Sequence, residues 1–245
     1  MGISHFNSGR RVLMIAPQPF YAERGTPMNV RLMCQVLGDA GYHVDLLVFP
    51  TGKNIALRNV KIIRLPTFPG LSSIPVGPSY IKLIYDVAIF IASFWLLLCK
   101  DYDIIHGIEE GGFLAVFWAA LFRKSSIFDV DSSISDQLHY SGFIRHPFLI
   151  KIVKRLERLS FKMGTAVITV CQALSDKVRA QYPRANIHQI EDIPILSEKP
   201  TAKRGHEKLK TAFSLGDSHR VVYTGNLEAY QGIDLLIQSH QRLMT

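Results

Sequence analysis

One stretch gathers a histidine and two carboxylates within five residues: Asp103-Ile104-Ile105-His106-Gly107-Ile108-Glu109-Glu110-Gly111-Gly112. Histidine can donate to or accept from a hydroxyl, and a glutamate can orient or deprotonate one. Glu109 and Glu110 could equally serve only to favour the positive N-terminus of a following helix. A second passage, Phe128-Asp129-Val130-Asp131-Ser132-Ser133, also places polar side chains directly after an apolar run. The third is Pro17 to Pro27, which ends Glu23-Arg24-Gly25-Thr26-Pro27. Gly25, ahead of a helix start, would let a backbone approach an anion or a sugar hydroxyl closely; a tight turn would account for the same glycine. The passage has no GxGxxG, which argues against a dehydrogenase-type dinucleotide site. Cys34, Cys99 and Cys171 are scattered, with no CxxC and no Cys/His metal spacing, so they read as reduced, mostly buried thiols, and no metal is expected.

Each polar passage follows a run with strand character, and helical spacing follows most of them. Arg11–Ala16, Val44–Phe49, Val60–Leu65, Asp103–His106, Ser126–Val130 and Ala166–Val170 read as strands. Helices are expected from Thr26-Pro27, an N-cap followed by first-turn proline, to Gly41, and over Ser79–Cys99, Gly112–Phe122, Pro147–Lys162 and Gln172–Tyr182. Strands apolar on both faces, alternating with helices, make a doubly wound parallel α/β sheet. In such sheets ligands bind beyond the carboxyl ends of the strands, where all three polar passages fall.

The chain has 245 residues, 48% hydrophobic and 20% charged, which excludes a disordered or fibrous protein. Val87–Cys99 and Gly111–Phe122 are apolar but shorter than the ~20 residues a membrane span needs, so both read as buried helices beside the sheet. Met1–Phe6 lacks a signal-peptide core, and a cytoplasmic protein is expected. The net charge of +8 concentrates on Arg145, Lys151, Lys154, Arg155, Arg158 and Lys162, interleaved with apolar residues, and on a later polar stretch. Such a helix can lie on an anionic membrane surface, or it can be a core-packed helix with a solvated polar face. No nucleic-acid motif accompanies the charge, so no nucleic-acid partner is expected. Composition divides the chain at 1–196, a basic linker over 197–218, and 219–245, where Arg220–Thr224 and a helix from about Ile233 read as the first βα unit of a second domain.

In order, APQPFYAERGTPMNVRLMCQVLGDAGYHVDLLVF, IPVGPSYIKLIYD, DYDIIHGIEEG, FDVDSSISDQL, AVITVCQALSDKV, IHQIEDIP and VVYTGNLEAYQGIDLLI resemble the retaining GT-B glycosyltransferases of family 4. The resemblance implies two Rossmann-like domains facing a cleft. It implies a nucleotide-diphosphate sugar as donor substrate, a glycan or lipid-linked acceptor, no metal or other cofactor in catalysis, and transfer with retention. Carried over by position, His106 and Glu109 line the sugar and acceptor side and are the candidate catalytic pair. Arg24, Gly25, Thr26, Glu110, Asp131 and Ser132 are candidate substrate contacts. Gly225, Asn226, Gln231 and Gly232 would form the donor loop. Members acting on lipid carriers dock on membranes through basic and apolar patches, which bears on Arg145–Lys162 and makes a peripheral position on the inner membrane face an expectation. Asp131 stands where the family often has His, and Asn226 and Gln231 stand where many members have Arg and Lys. The acidic motif with two glutamates is expected beyond Thr245, which makes this chain an incomplete transferase. The alternative is a stand-alone acceptor domain that recruits a separate donor-binding subunit.

Overall fold

Among the described residues seven short strands form one sheet: β1 (Arg11–Ala16), β2 (His43–Val48), β3 (Val60–Arg64), β4 (Ile104–Ile108), β5 (Ser125–Val130), β6 (Ala166–Thr169) and β7 (Ile187–Gln189). All pairings are parallel, in the order β3-β2-β1-β4-β5-β6-β7. A computed structural model describes residues 9–75, 79–140, 146–192, 222–225 and 232–243. The chain divides into two compact units, Met1–Ile193 and Pro194–Thr245. The basic linker, Asn226, Gln231 and Arg145 lie outside the described residues.

Both sheet faces are apolar, and each is covered. Helix α1 (Gly25–Asp39) sets Val30 and Cys34 against Val12, Met14, Val44 and Leu46. On the opposite face α2 (Tyr80–Cys99) packs Tyr85, Ile89 and Leu97 on Leu13, Ile15, Leu47 and Ile105. Beside it lie α3 (Glu110–Phe122) and, past a short α4 (Ile134–Tyr140), α5 (Pro147–Met163), whose Phe161 joins Val116, Phe128 and Val167. Helix α6 (Gln172–Gln181) leads to β7, and the second unit contains α7 (Ile233–Leu243). Between α2 and α3, Trp118 Nε1 donates to Ser93 Oγ at 2.9 Å. At the amino ends of the strands the Asp45 carboxyl accepts from Lys100 Nζ at 2.6 Å and Tyr102 Oη at 2.7 Å. Burial pushes its pKa up, but these bonds and the Lys100 and Arg11 charges hold it below the ordinary value.

Four expectations need correction. The first helix starts at Gly25 with Arg24 at its cap and no side-chain cap bond, so Thr26 is not the N-cap. Val222–Thr224 has no ladder partner among the described residues and is not a strand there. Cys34 is buried, but Cys99 and Cys171 are exposed. Helix α2 is not enclosed by the fold; its outer side is exposed along its whole length.

Candidate active site at the carboxyl edge of the sheet

The loop after β1 is fixed before it reaches α1. Phe20 N donates to the Thr51 carbonyl and Tyr21 N to the Lys53 carbonyl, each at 3.0 Å, and Lys53 N returns a bond to Tyr21 O at 2.9 Å. Arg64, at the end of β3, donates to the Phe20, Thr51 and Lys53 carbonyls and to Asn54 Oδ1. Arg24 and Gly25 emerge exposed from this frame. Gly25 lacks a left-handed φ, and a Cβ there would meet nothing within 4 Å. The turn explanation for this glycine therefore falls away, and open space remains at the first turn of α1. The Thr26 side chain lies beside the Asp131 carboxyl and favours its charged form.

The turn from β4 into α3 is closely packed. A Cβ on Gly107 would stand 2.0 Å from the Gly111 carbonyl oxygen, and one on Gly111 would stand 2.3 Å from the Ile15 carbonyl oxygen. Gly112 lies against the Phe128 ring, where a Cβ would come to 2.0 Å. These contacts press the first turn of α3 onto β1 and β5 and leave Glu109 at φ 50, ψ −122. That conformation costs a non-glycine residue on the order of 1–3 kcal/mol, and such strain gathers at functional sites. Glu109 N donates to the Asp129 carbonyl at 3.0 Å, tying the turn to the end of β5.

The crevice is acidic. Ser132 Oγ lies 3.4 Å from Glu109 Oε1, and Gln137 donates to Ser132. Burial raises the Glu109 pKa to about 7, aided by the neighbouring Glu110 charge and opposed by Lys82, Ser132 and Gln137. Burial, then Asp129, Glu109 and Asp192, raise Asp131 to about 8 against the opposing Thr26 side chain. Asp192 is raised as well, by burial and by Asp129. On the α2 side Lys82 Nζ pairs with Glu110. Burial opposes its charge, but Glu110 and Asp86 outweigh that and raise its pKa. Burial lifts Asp86 to about 7 despite Lys82.

The structure thus brings Glu109, Glu110, Asp131, Ser132 and Thr26 together, with Arg24 and Gly25 where the adjoining loop enters α1. His106 lies deeper. Strand β4 runs on to Ile108, so His106 is mid-strand, 2% exposed, opposite Met14 and Ile127. Its Nε2 stands 3.5 Å from Oδ2 of Asp129, which is 0% exposed. Neither that nitrogen nor either Asp129 oxygen has a hydrogen-bond partner among the described residues. Sequence reading passed over Lys82, Asp86, Gln137 and Asp192. The first two carry a usable signal: two charges four residues apart, opening an otherwise apolar helix. Lys151, Lys154, Arg155 and Arg158 are exposed along α5. Gly225 and Gly232 belong to the second unit, where Gly232 takes φ +71 before α7. Among the described residues no group of three His, Cys, Asp or Glu side chains could hold a metal ion.

The raised carboxyls set a sign for stability against pH. Folding takes up protons between the unfolded carboxyl range, near 4, and the folded values of about 7 and 8. The folded state is therefore favoured at the acid end of that window and loses stability as pH rises through it. Asp45 acts in the opposite sense but below this window. Thermal melts of the free protein should give a higher Tm at pH 5.5 than at pH 8, and Asp131→Asn should raise the pH 8 value. A Tm that climbs from pH 5.5 to 8 equally in both proteins would contradict this.

Residues 25–191 match the family model described as Glycosyltransferase Family 4. No curated protein sequence matches the chain. Among solved structures, sucrose-phosphate synthase from Thermosynechococcus elongatus superposes with TM-score 0.66 at 19% identity, over 95% of this chain and 60% of that one. The catalytic domain of starch synthase IV from Arabidopsis thaliana, bound to ADP and acarbose, gives TM-score 0.57 at 14% identity, over 97% and 66%. Arabidopsis thaliana UGT89C1 complexed with UDP-L-rhamnose gives 0.50 at 19%, over 94% and 62%. At these identities the likeness is one of fold, the Rossmann-like α/β architecture of GT-B proteins. The chain spans less than two thirds of each of these three structures.

Proposed function

The chain belongs to glycosyltransferase family 4, and from that premise we propose that it serves to move a sugar from a nucleotide-diphosphate sugar to a glycan or lipid-linked acceptor, with retention of configuration. The supporting observation is the strained Glu109, set with Asp131, Ser132 and Thr26 at the carboxyl ends of β4 and β5 beside the open first turn of α1. That is where an open parallel sheet admits its ligands. A carboxyl poised near neutrality can accept a hydrogen bond from a sugar or acceptor hydroxyl and hold that oxygen at the anomeric carbon. The bond from that carbon to the diphosphate breaks as the acceptor oxygen bonds on the same face. The hydroxyl proton passes to the departing phosphate oxygen. Lys82, neutralised by Glu110, shapes the α2 side of the crevice rather than supplying free positive charge.

The cytoplasmic location, and a place on the inner membrane face through α5, belong to the same proposal. Incubating the natural gene product with a panel of nucleotide sugars and following nucleoside diphosphate release, with and without acceptors, tests the central claim. Acceptor-stimulated release whose product keeps the donor's anomeric configuration is expected. A product of inverted configuration would overturn the retaining assignment, and no release with any donor would overturn the transferase reading.

A further inference from the structure

A helix on the outside of an α/β sheet ordinarily shows one apolar side to the sheet and one polar side to water. Helix α2 does not. Its inner side, Tyr85, Ile89, Ser93 and Leu97, is buried on the sheet. Its outer side carries Leu83, Ile84, Val87, Ile91, Trp95 and Leu98, all exposed. Phe90 of α2 meets Phe117 of α3 at 6.2 Å between ring centroids, and Phe117 and Leu121 continue the exposed apolar surface onto α3.

Helix α5, packed against α3, has three sides instead of two. Ile150, Glu157, Ser160 and Phe161 are buried. Lys151, Lys154, Arg155, Arg158 and Lys162 form an exposed basic side. A third line, Leu149, Ile152, Leu156, Leu159 and Met163, runs at three- and four-residue spacing and is also exposed. Core packing accounts for the first side and solvation for the second; neither accounts for the third.

We propose that the outer sides of α2, α3 and α5 form one platform that rests in the interfacial layer of an anionic lipid bilayer, with α2 lying in the membrane plane. Helix α2 is long and apolar enough to cross a bilayer by length and composition. Its inner side, however, is committed to the sheet and to the Ser93–Trp118 hydrogen bond, so it can offer lipid one side only. An in-plane helix with apolar residues submerged and basic residues at headgroup level is the stable arrangement for such a surface. Charge selects the occupant. A symmetric pair of chains docked through these helices would bring two basic sides together, whereas anionic headgroups neutralise them.

Direction adds a consequence for substrate. Strands β3, β4, β5 and β6 are parallel, so α2 and α5 must each run back from the carboxyl edge of the sheet. Both therefore begin at the edge that holds Glu109 and Asp131, and Lys82 in the first turn of α2 pairs with Glu110 there. A lipid-linked acceptor would reach the crevice along the membrane plane. This last step rests on the glycosyl-transfer reading; the platform itself does not.

The two tryptophans supply a direct test, since Trp95 is 66% exposed and Trp118 only 3%. Emission is recorded without lipid, with phosphatidylcholine vesicles, and with equimolar phosphatidylcholine–phosphatidylglycerol vesicles carrying a doxyl-labelled lipid. The expected result is acrylamide access to Trp95 in the free protein, then a blue shift and doxyl quenching with anionic vesicles. Trp95→Phe should abolish that change, and Lys151→Glu, Lys154→Glu, Arg155→Glu and Arg158→Glu together should weaken vesicle binding at least tenfold. Equal binding to neutral vesicles, or unchanged emission with anionic ones, would overturn the proposal. So would a Trp95 already shielded without lipid, whether at all protein concentrations (another segment of the chain) or only at high ones (a second copy). Donor turnover with a water-soluble acceptor separates the readings: turnover without vesicle binding removes the platform alone, and vesicle binding without turnover removes the transferase assignment alone.

Discussion

Glu109→Gln lowers kcat/KM for sugar transfer by about a hundredfold, equivalent to about 2.7 kcal/mol, if the carboxylate orients the reacting hydroxyl. Glutamine fills the same space and keeps an acceptor oxygen toward Ser132. It cannot titrate, so the pH dependence near 7 that the native residue imposes should flatten in the variant. Steady-state kinetics across pH 5.5 to 9, with melting curves as the control, make the measurement. An unchanged kcat/KM with an unchanged pH profile would remove Glu109 from the reaction. His106→Ala should behave differently. The imidazole is buried against Asp129 and its loss leaves a buried carboxylate alone, so stability and activity should fall together. A variant that loses activity while keeping its Tm would show that His106 acts on the substrate itself.

Gly107→Ala should cost the first unit about 3–5 kcal/mol, beyond the usual range for one methyl group. The new Cβ would meet the Gly111 carbonyl oxygen at 2.0 Å, its carbon at 2.3 Å and Gly112 N at 2.5 Å. All three are backbone atoms, held in place because Gly111 already lies against the Ile15 carbonyl and Gly112 against Phe128. Relief requires moving the first turn of α3, and that turn carries Glu109 and Glu110. Calorimetry should show Tm lowered by about 10 °C for a unit of this size. Gly25→Ala is the matched control: its Cβ meets nothing within 4 Å, so its Tm should stay within about 2 °C of the native protein. Equal melting of all three proteins would mean that the β4–α3 turn relaxes far more readily than its contacts imply.

Much of this architecture was legible because the rules involved are local. Ser79 marks the start of a helix in the sequence, and its Oγ accepts from Lys82 N at 3.1 Å. The aliphatic runs of β1, β2, β5 and β6 point to buried parallel strands, and the polar passages after β1, β4 and β5 fall at the carboxyl edge of the sheet. What failed was non-local. Strand β7 is a three-residue edge strand, Ile-His-Gln, whose identity comes from pairing with β6. Helix α4 is a short serine-led turn with little apolar spacing of its own. Strand β4 extends two residues past His106, and that extension moves the imidazole from the rim to the interior. Lys82 and Glu110 are 28 residues apart, and only the packing of α2 beside α3 joins them. Helix α2 misled in another way: a helix apolar all round gives no indication of which side meets protein.

Arg64 has a consequence for recognition that reaches beyond the fold. Its guanidinium holds three carbonyls and one side-chain oxygen from two loops, so the segment before α1 is braced by the chain's own hydrogen bonds. A ligand arriving beside Arg24 and Gly25 meets a prepared surface and loses little loop entropy on binding. Selectivity at this rim must then come from fit and hydrogen-bond matching rather than from how readily the loop moulds itself to its guest. A ligand one hydroxyl short should lose affinity outright, because a braced backbone cannot shift to recover the missing contact.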